Sequence, residues 1–258
     1  MPEPIHCLVF SRRRPLQLHA LLESIGRHAP YRSVTVLARV DDGWREPYRI
    51  CERAFPLVEF VEERDFERQT LDWLSGRGRV CFHSDDELWF RPPPPALLEL
   101  DPSETIVTFR QGRNTTYCHP LQRGQYVPER FPWRWREADL DFAYPLSVNA
   151  TVYQAADLWP LLDFHFTNPT TLEARLAANA ARLQVEWMTA PEHSCTVSLP
   201  HNVTSESSGN PRGANPAWQP EPLRDYYLLG WRLDLDGIDY AAVNAAHVEL
   251  PLEFRRIV

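Results

Sequence analysis

The sequence predicts an α/β protein with a mostly parallel central sheet flanked by helices. Over the first third of the chain, short apolar segments of strand length alternate with amphipathic segments of helix length. The links between them are short, and three consecutive acids, Asp85-Asp86-Glu87, stand where the fourth apolar segment ends. Alternating strands and helices with short links imply parallel strands joined by right-handed crossovers. In such sheets the ligand crevice lies beyond the carboxyl ends of the strands, where these acids fall.

Each element follows from a local pattern. Ile5 to Ser11 reads as a buried strand. Pro15, suited to a first helical position, opens a helix whose Leu18, Leu21, Leu22 and Ile25 recur on one face. A second strand over 33–40 runs into the turn Asp41-Asp42-Gly43, and a short helix over 46–54 leads to a third strand at 57–61. A helix over 66–74 is closed by Gly76-Arg77-Gly78, and residues 80–83 form the fourth strand. Beyond the acids, Pro92 to Pro95 is stiff, followed by a short helix over 96–100 and a strand over 105–109. Residues 110–141 read as a long ordered loop, a kind of segment usually tied to function. Further on come a strand over 149–153, a helix over 155–162, and a helix to about Leu183 with Thr170 as cap and Glu173 three residues later. A strand over 196–199, a polar loop over 201–219 and a helix over 223–229 ended by Gly230 complete the reading. Ile238, Val243, Val248 and Leu250 are expected to pack the tail back on the core. One domain over 1–258 is expected, with a ligand-binding half (1–110) and a second half (111–258).

Composition narrows the function. With 43% hydrophobic and 12% aromatic residues the 258-residue chain can bury a substantial core. A net charge of −8 argues against a general nucleic-acid binder. Every basic residue other than histidine is arginine, so the chain offers no Schiff-base or P-loop lysine. The first strand-to-helix turn, Phe10-Ser11-Arg12-Arg13-Arg14-Pro15, has no glycine, which excludes the dinucleotide fingerprint. The odd count of 5 cysteines, with no CxxC pair, favours a reducing compartment. The short N-terminal apolar run, soon followed by Arg12-Arg13-Arg14, is unlike a secretory leader, and no segment has transmembrane length. A cytoplasmic protein is expected.

Carboxylates at a strand end can hold a hard cation, with a diphosphate completing its oxygen shell. Asp85, Asp86 and Glu87 are therefore candidates for a Mg²⁺ or Mn²⁺ site, and a solvated acidic turn is the plainer alternative. Arg110 and Arg113 flank Gly112 after a strand. They can either clamp phosphate or pair with the chain's own carboxylates. Trp133, Trp135, Phe142 and Tyr144 can either stack on sugar rings or form a core.

The order of these segments resembles family-2-like bacterial glycosyltransferases of the GT-A fold. The resemblance is carried by Cys7-Leu8-Val9-Phe10-Ser11-Arg12-Arg13-Arg14-Pro15, Leu21-Leu22-Glu23-Ser24-Ile25 and the DXD-like Ser84-Asp85-Asp86-Glu87, and it is strongest over residues 5–92. Three later segments, Thr108-Phe109-Arg110-Gln111-Gly112, Tyr144-Pro145-Leu146-Ser147 and Asn168-Pro169-Thr170-Thr171-Leu172-Glu173, extend it. It implies transfer of a sugar from a UDP- or GDP-linked donor to a glycan or other acceptor, assisted by Mn²⁺ or Mg²⁺. By position, Phe10, Ser11 and Arg12 would line the nucleoside pocket, Asp41 would meet the base or ribose, and Asp85 the ribose or metal. Asp86 would be the main metal ligand, with Glu87 weaker and His201, then His247, as histidine candidates. The acceptor base is left among Asp139, Asp141 and Glu173, since the relatives' Asp-Gly pair is replaced here by Asn149-Ala150. That departure also supports a different reading, a catalytically impaired homologue that binds a sugar nucleotide or glycan. A related nucleotidyltransferase would need a glycine-rich first turn, which this chain lacks.

Overall fold

A computed structural model describes residues 2–204 and 211–257. The chain opens as β1 (Ile5–Arg12), α1 (Pro15–His28), β2 (Tyr31–Arg39), α2 (Arg45–Ala54), β3 (Glu59–Glu62), α3 (Phe66–Leu74) and β4 (Arg79–Ser84). It continues through β5 (Glu87–Trp89), α4 (Pro95–Leu98), β6 (Thr105–Thr108), the two-residue strands β7 (Tyr117–Cys118), β8 (Arg123–Gly124) and β9 (Trp133–Arg134), then β10 (Thr151–Gln154) and α5 (Ala155–Leu158). It closes with α6 (Pro169–Ala178), β11 (Trp187–Thr189), β12 (Thr196–Ser198), α7 (Pro220–Leu228), β13 (Trp231–Leu233) and β14 (Phe254–Arg256).

The main sheet has 8 strands in the order β3-β2-β1-β4-β10-β6-β11-β9. β3, β2, β1 and β4 pair in parallel, while β10 runs against both β4 and β6, and β9 against β11. This is the mostly parallel α/β sheet that the strand and helix alternation predicts. Period-2 alternation divides its side chains between two cores. Cys7, Val9, Val36, Ala38, Cys81 and Val107 face α1, α2, α7 and the tail, where Ile238, Val243 and Leu250 pack as expected. Leu8, Phe10, Leu37, Phe82 and Ile106 face α3, α5 and α6. A strand buried on both faces reads as a continuous apolar run, which is why β1 and β4 were legible. All 5 cysteines are free and buried.

Local chemistry sets the helix ends. Pro15 occupies the first turn of α1, and Arg27 and His28 lie in its last turn, complementing the helix dipole. The Asp65 carboxylate caps α3 by accepting the Arg68 backbone N–H at 3.1 Å. At α6 the capping box is Asn168 with Thr171, rather than Thr170 with Glu173. Asn168, on extended backbone before Pro169, accepts the Thr171 backbone N–H on its Oδ1 at 3.0 Å, and Glu173 is released for another contact. Gly230, at φ +86, ends α7 in the left-handed region.

The expected long loop over 110–141 is pinned to the body. Its β9 forms the sheet edge, and Gly112 approaches a neighbouring loop so closely that a Cβ there would lie 2.3 Å from the Ser194 backbone nitrogen. Trp133, Trp135 and Phe142 are buried in the second core, with the two indole N–H groups donating to the Phe142 and Val185 carbonyls. They are core residues, not a sugar-stacking surface. Part of the polar loop expected over 201–219 (205–210) lies outside the described residues.

Candidate functional site

Register brings the site together. β1 and β4 are parallel neighbours with Phe10 opposite Ser84, so the turn after β1 and the acidic turn after β4 lie side by side at the carboxyl edge of the sheet. Arg13 takes a left-handed backbone (φ 55) in that first turn. The chain thereby sends Arg12 and Arg13 one way and Arg14 another.

Arg12 and Arg13 go to Asp41, their Nε atoms donating at 3.2 and 2.6 Å. Burial alone would raise the Asp41 carboxyl, but the bonds from Arg13 and Arg12 outweigh it and hold the group below the usual range. Arg14 goes to the acids. Its Nη1 donates to Asp85 Oδ1 at 3.0 Å and to Asp86 Oδ2 at 2.8 Å, and its Nε donates to Asn202 Oδ1 at 2.7 Å. Its Nη2 donates to the Asn202 carbonyl. Asp85 Oδ2 accepts from Ser11 Oγ at 2.8 Å and from the Arg12 backbone N–H at 3.0 Å. Asp85 is only 3% exposed, and burial raises its carboxyl to about 6 against the opposing pull of Arg14. Asp86 Oδ1 accepts from Ser84 Oγ at 2.7 Å, and the Ser84 backbone N–H donates to Asn149 Oδ1 at 3.2 Å, so Asn149 anchors the turn.

Two clefts meet here. One, of about 550 Å³, is lined by Phe10, Ser11, Arg12, Arg39, Glu63 and Asp85, and by the N-terminus of α6. The other, of about 150 Å³, is lined by Asp86, His119, Asn149, Glu173 and His247. Arg14, Ser84, Pro169, Thr170 and Thr204 line both. Glu173 accepts the Val148 backbone N–H at 3.1 Å. Burial raises its carboxyl, with Arg110, the Val148 N–H and the Ser147 hydroxyl opposing. His247 is pushed down to about 3, first by burial and then by Arg110.

Phe10, Ser11, Arg12 and Asp85 thus share one cleft, while Asp86, Glu173 and His247 share the other. Several expected site residues lie elsewhere. Glu87 follows the turn into β5, fully buried, where it accepts from Thr196 Oγ1 at 2.8 Å and pairs with His83. Burial opposes the His83 cation, but Glu87 outweighs it and lifts the imidazole to about 10. Tyr31 Oη lies 2.5 Å from the other ring nitrogen of His83, so this cluster is sealed from the clefts. His201 is buried against the Trp218 ring at 4.5 Å and is lowered to about 4 by burial. Arg110 donates to Ser147 Oγ at 2.5 Å and to Asp141 Oδ1 at 3.3 Å. Asp141 is buried in that pair and lines neither cleft. Arg113 pairs with Glu192 at 2.7 Å on the surface. Asp86, Glu87 and His201 are therefore not assembled as a metal-ligand set, and among the described residues no group of three or more His, Cys, Asp or Glu side chains could hold a metal. With a guanidinium fixed between the two aspartates, the donors present do not fit a resident divalent cation.

Sequence reasoning missed Arg14 and Asn202. Arg14 had a visible signal, since three arginines in the turn after the first strand must neighbour acids at the end of an adjacent parallel strand. For Asn202, 188 residues away, the sequence offers none.

No family model matches the sequence, and no curated protein matches it. Similar solved structures include TarS from S. aureus, 12% identical, with 76% of this chain and 36% of that chain covered at a TM-score of 0.49. This chain thus spans little more than a third of TarS. A second is glucosyl-3-phosphoglycerate synthase from Mycobacterium tuberculosis in complex with Mn²⁺, UDP and glucosyl-3-phosphoglycerate, at 14% identity, 76% and 71% coverage and a TM-score of 0.44. A third is a CMP:2-keto-3-deoxy-manno-octonic acid synthetase complexed with CTP, at 13% identity, 75% and 91% coverage and a TM-score of 0.45. No helix among the described residues is long and apolar enough to cross a membrane.

Proposed function

We propose that the protein is a glycosyltransferase that moves a sugar from a UDP- or GDP-linked donor to a hydroxyl of a glycan or related acceptor. The observation that carries this reading is the meeting of two clefts along one wall at the carboxyl edge of the sheet. The larger is of a size for a nucleotide and carries Arg12, Arg39 and the N-terminus of α6, which suit a diphosphate. The smaller carries Glu173, whose carboxyl is raised by burial, the direction that strengthens it as a proton acceptor. In this scheme Glu173 takes the acceptor hydroxyl proton, the acceptor oxygen bonds to the anomeric carbon, and the bond to the nucleoside diphosphate breaks. The charge on the departing diphosphate is met by Arg12, Arg39 and the helix terminus.

The test is release of nucleoside diphosphate from UDP- and GDP-hexoses in the presence of glycan acceptors. Glu173→Gln keeps an oxygen for the Val148 N–H and removes the base, so turnover should fall by about 100-fold or more with nucleotide affinity retained. Unchanged turnover in that variant would remove Glu173 from the mechanism. Asn149 favours a second reading, binding without transfer, because its amide is spent on Ser84 and cannot serve as a base. Tight nucleotide binding with no turnover on any donor would decide for it.

A further inference from the structure

Every oxygen of the Asp85–Asp86 pair already has a donor within the protein: Arg14 on one oxygen of each, Ser11 and the Arg12 N–H on the second oxygen of Asp85, and Ser84 on the second oxygen of Asp86. Arg14 is 7% exposed. Asn202 grips it at two further points, Nε and Nη2. A divalent cation would need carboxylate oxygens at about 2.0–2.6 Å, beside a guanidinium of like charge at hydrogen-bond distance from the same groups. Moving Arg14 aside would strand two nearly buried carboxylates and the Asn202 side-chain oxygen, the costly way to break such a cluster. Of the other expected ligands, Glu87 is turned into the core and His201 stands against Trp218, while His247 lines the smaller cleft with Asp86.

We propose that Arg14 is the resident counter-ion of the Asp85–Asp86 pair, and that this cleft takes a nucleoside diphosphate without a divalent cation. Arg14 keeps one or both acids from repelling the diphosphate, and its own N–H groups are largely occupied. Contact with the ligand therefore falls to Arg12, Arg39 and the α6 terminus, all of which line the larger cleft. The nucleotide part rests on the function proposed above. The counter-ion part does not.

Two measurements on the whole chain separate these parts. In the first, Mn²⁺ is titrated into the protein without nucleotide and the free ion is followed by electron paramagnetic resonance. Wild type should leave the ion free, Arg14→Ala should take it up, and Arg14→Lys should again exclude it, because the charge rather than the fork is what repels. Stoichiometric uptake by wild type overturns the counter-ion assignment, and that arm holds even if Arg14→Ala does not fold. In the second, UDP and GDP are titrated calorimetrically into wild type in EDTA and in Mn²⁺. Affinities within about twofold of each other support metal-free binding, and a tenfold or greater gain with Mn²⁺ overturns it. If neither nucleotide binds in either buffer, the nucleotide reading falls, while the Mn²⁺ titration still decides the role of Arg14.

Discussion

Asp85 and Asp86 share a guanidinium at the mouth of a cleft, whereas Glu87, the next residue, shares an imidazole inside the core. The two clusters differ in access, not in chemistry. Arg14, Asp85 and Asp86 line cleft walls, while both partners of the His83–Glu87 pair have no exposed side-chain surface. The strand explains the division. After the turn the chain re-enters extended structure as β5 and pairs with β12, which carries Glu87 inward to Thr196. A run of like residues can therefore hold two jobs, one open to ligand and one structural.

The sharpest way to break this contrast is Glu87→Leu. Removing one partner of a sealed ion pair should cost about 3–5 kcal/mol in a denaturant titration. If Asp86→Asn costs as much, the division into a structural and a ligand-facing cluster fails.

pH distinguishes the clusters next. The His83 imidazole is raised from 6.5 to about 10, so the folded state holds a proton that the unfolded chain loses. Its contribution is fully present below about pH 6.5 and is lost as pH rises toward 10. Urea midpoints measured across that window should fall in wild type and stay flatter in His83→Gln. Asp85 has the same sign in a lower window. Its carboxyl is raised from 3.8 to about 6, so the folded state again binds the extra proton, and stability declines as pH climbs through that interval. Asp85→Asn should remove that slope and leave the His83 one intact. The smallest effect should be at Arg113→Ala. Its ion pair with Glu192 is exposed, and its loss should cost no more than about 1 kcal/mol by thermal melting.

The N-terminal half was legible because its signals are strong and local. β1 and β4 are continuous apolar runs, Pro15 marks the start of α1, and the leucines of α1 repeat at helical spacing. β11 escaped notice because Trp187-Met188-Thr189 has only 3 residues and its pairing with β6 is a tertiary event. β9 is shorter still. The cap of α6 was misplaced by two residues because Asn168, Thr170 and Thr171 all have capping side chains, and only backbone geometry chooses among them. At the site, the resemblance implied that Phe10, Ser11, Arg12, Asp41 and Asp85 meet the nucleotide; all of these but Asp41 line one cleft, and the sequence does not show that Arg14 reaches across 71 residues to Asp85, or that Glu87 turns away. Charge position along a chain says where carboxylates begin, and the sheet register decides what they face.

The buried cysteines also make the chain well suited to site-directed spectroscopy. Burial pushes the thiols of Cys51 and Cys195 up to about 12, none of the 5 is exposed, and the sequence has no lysine side chain to compete for electrophiles. Because the thiolate is the reactive form, a single cysteine introduced at an exposed position such as Leu57, at 96% exposure, would be the one thiol that a maleimide fluorophore or nitroxide reaches quickly. The native protein therefore serves as its own unlabelled background for placing reporters around the two clefts.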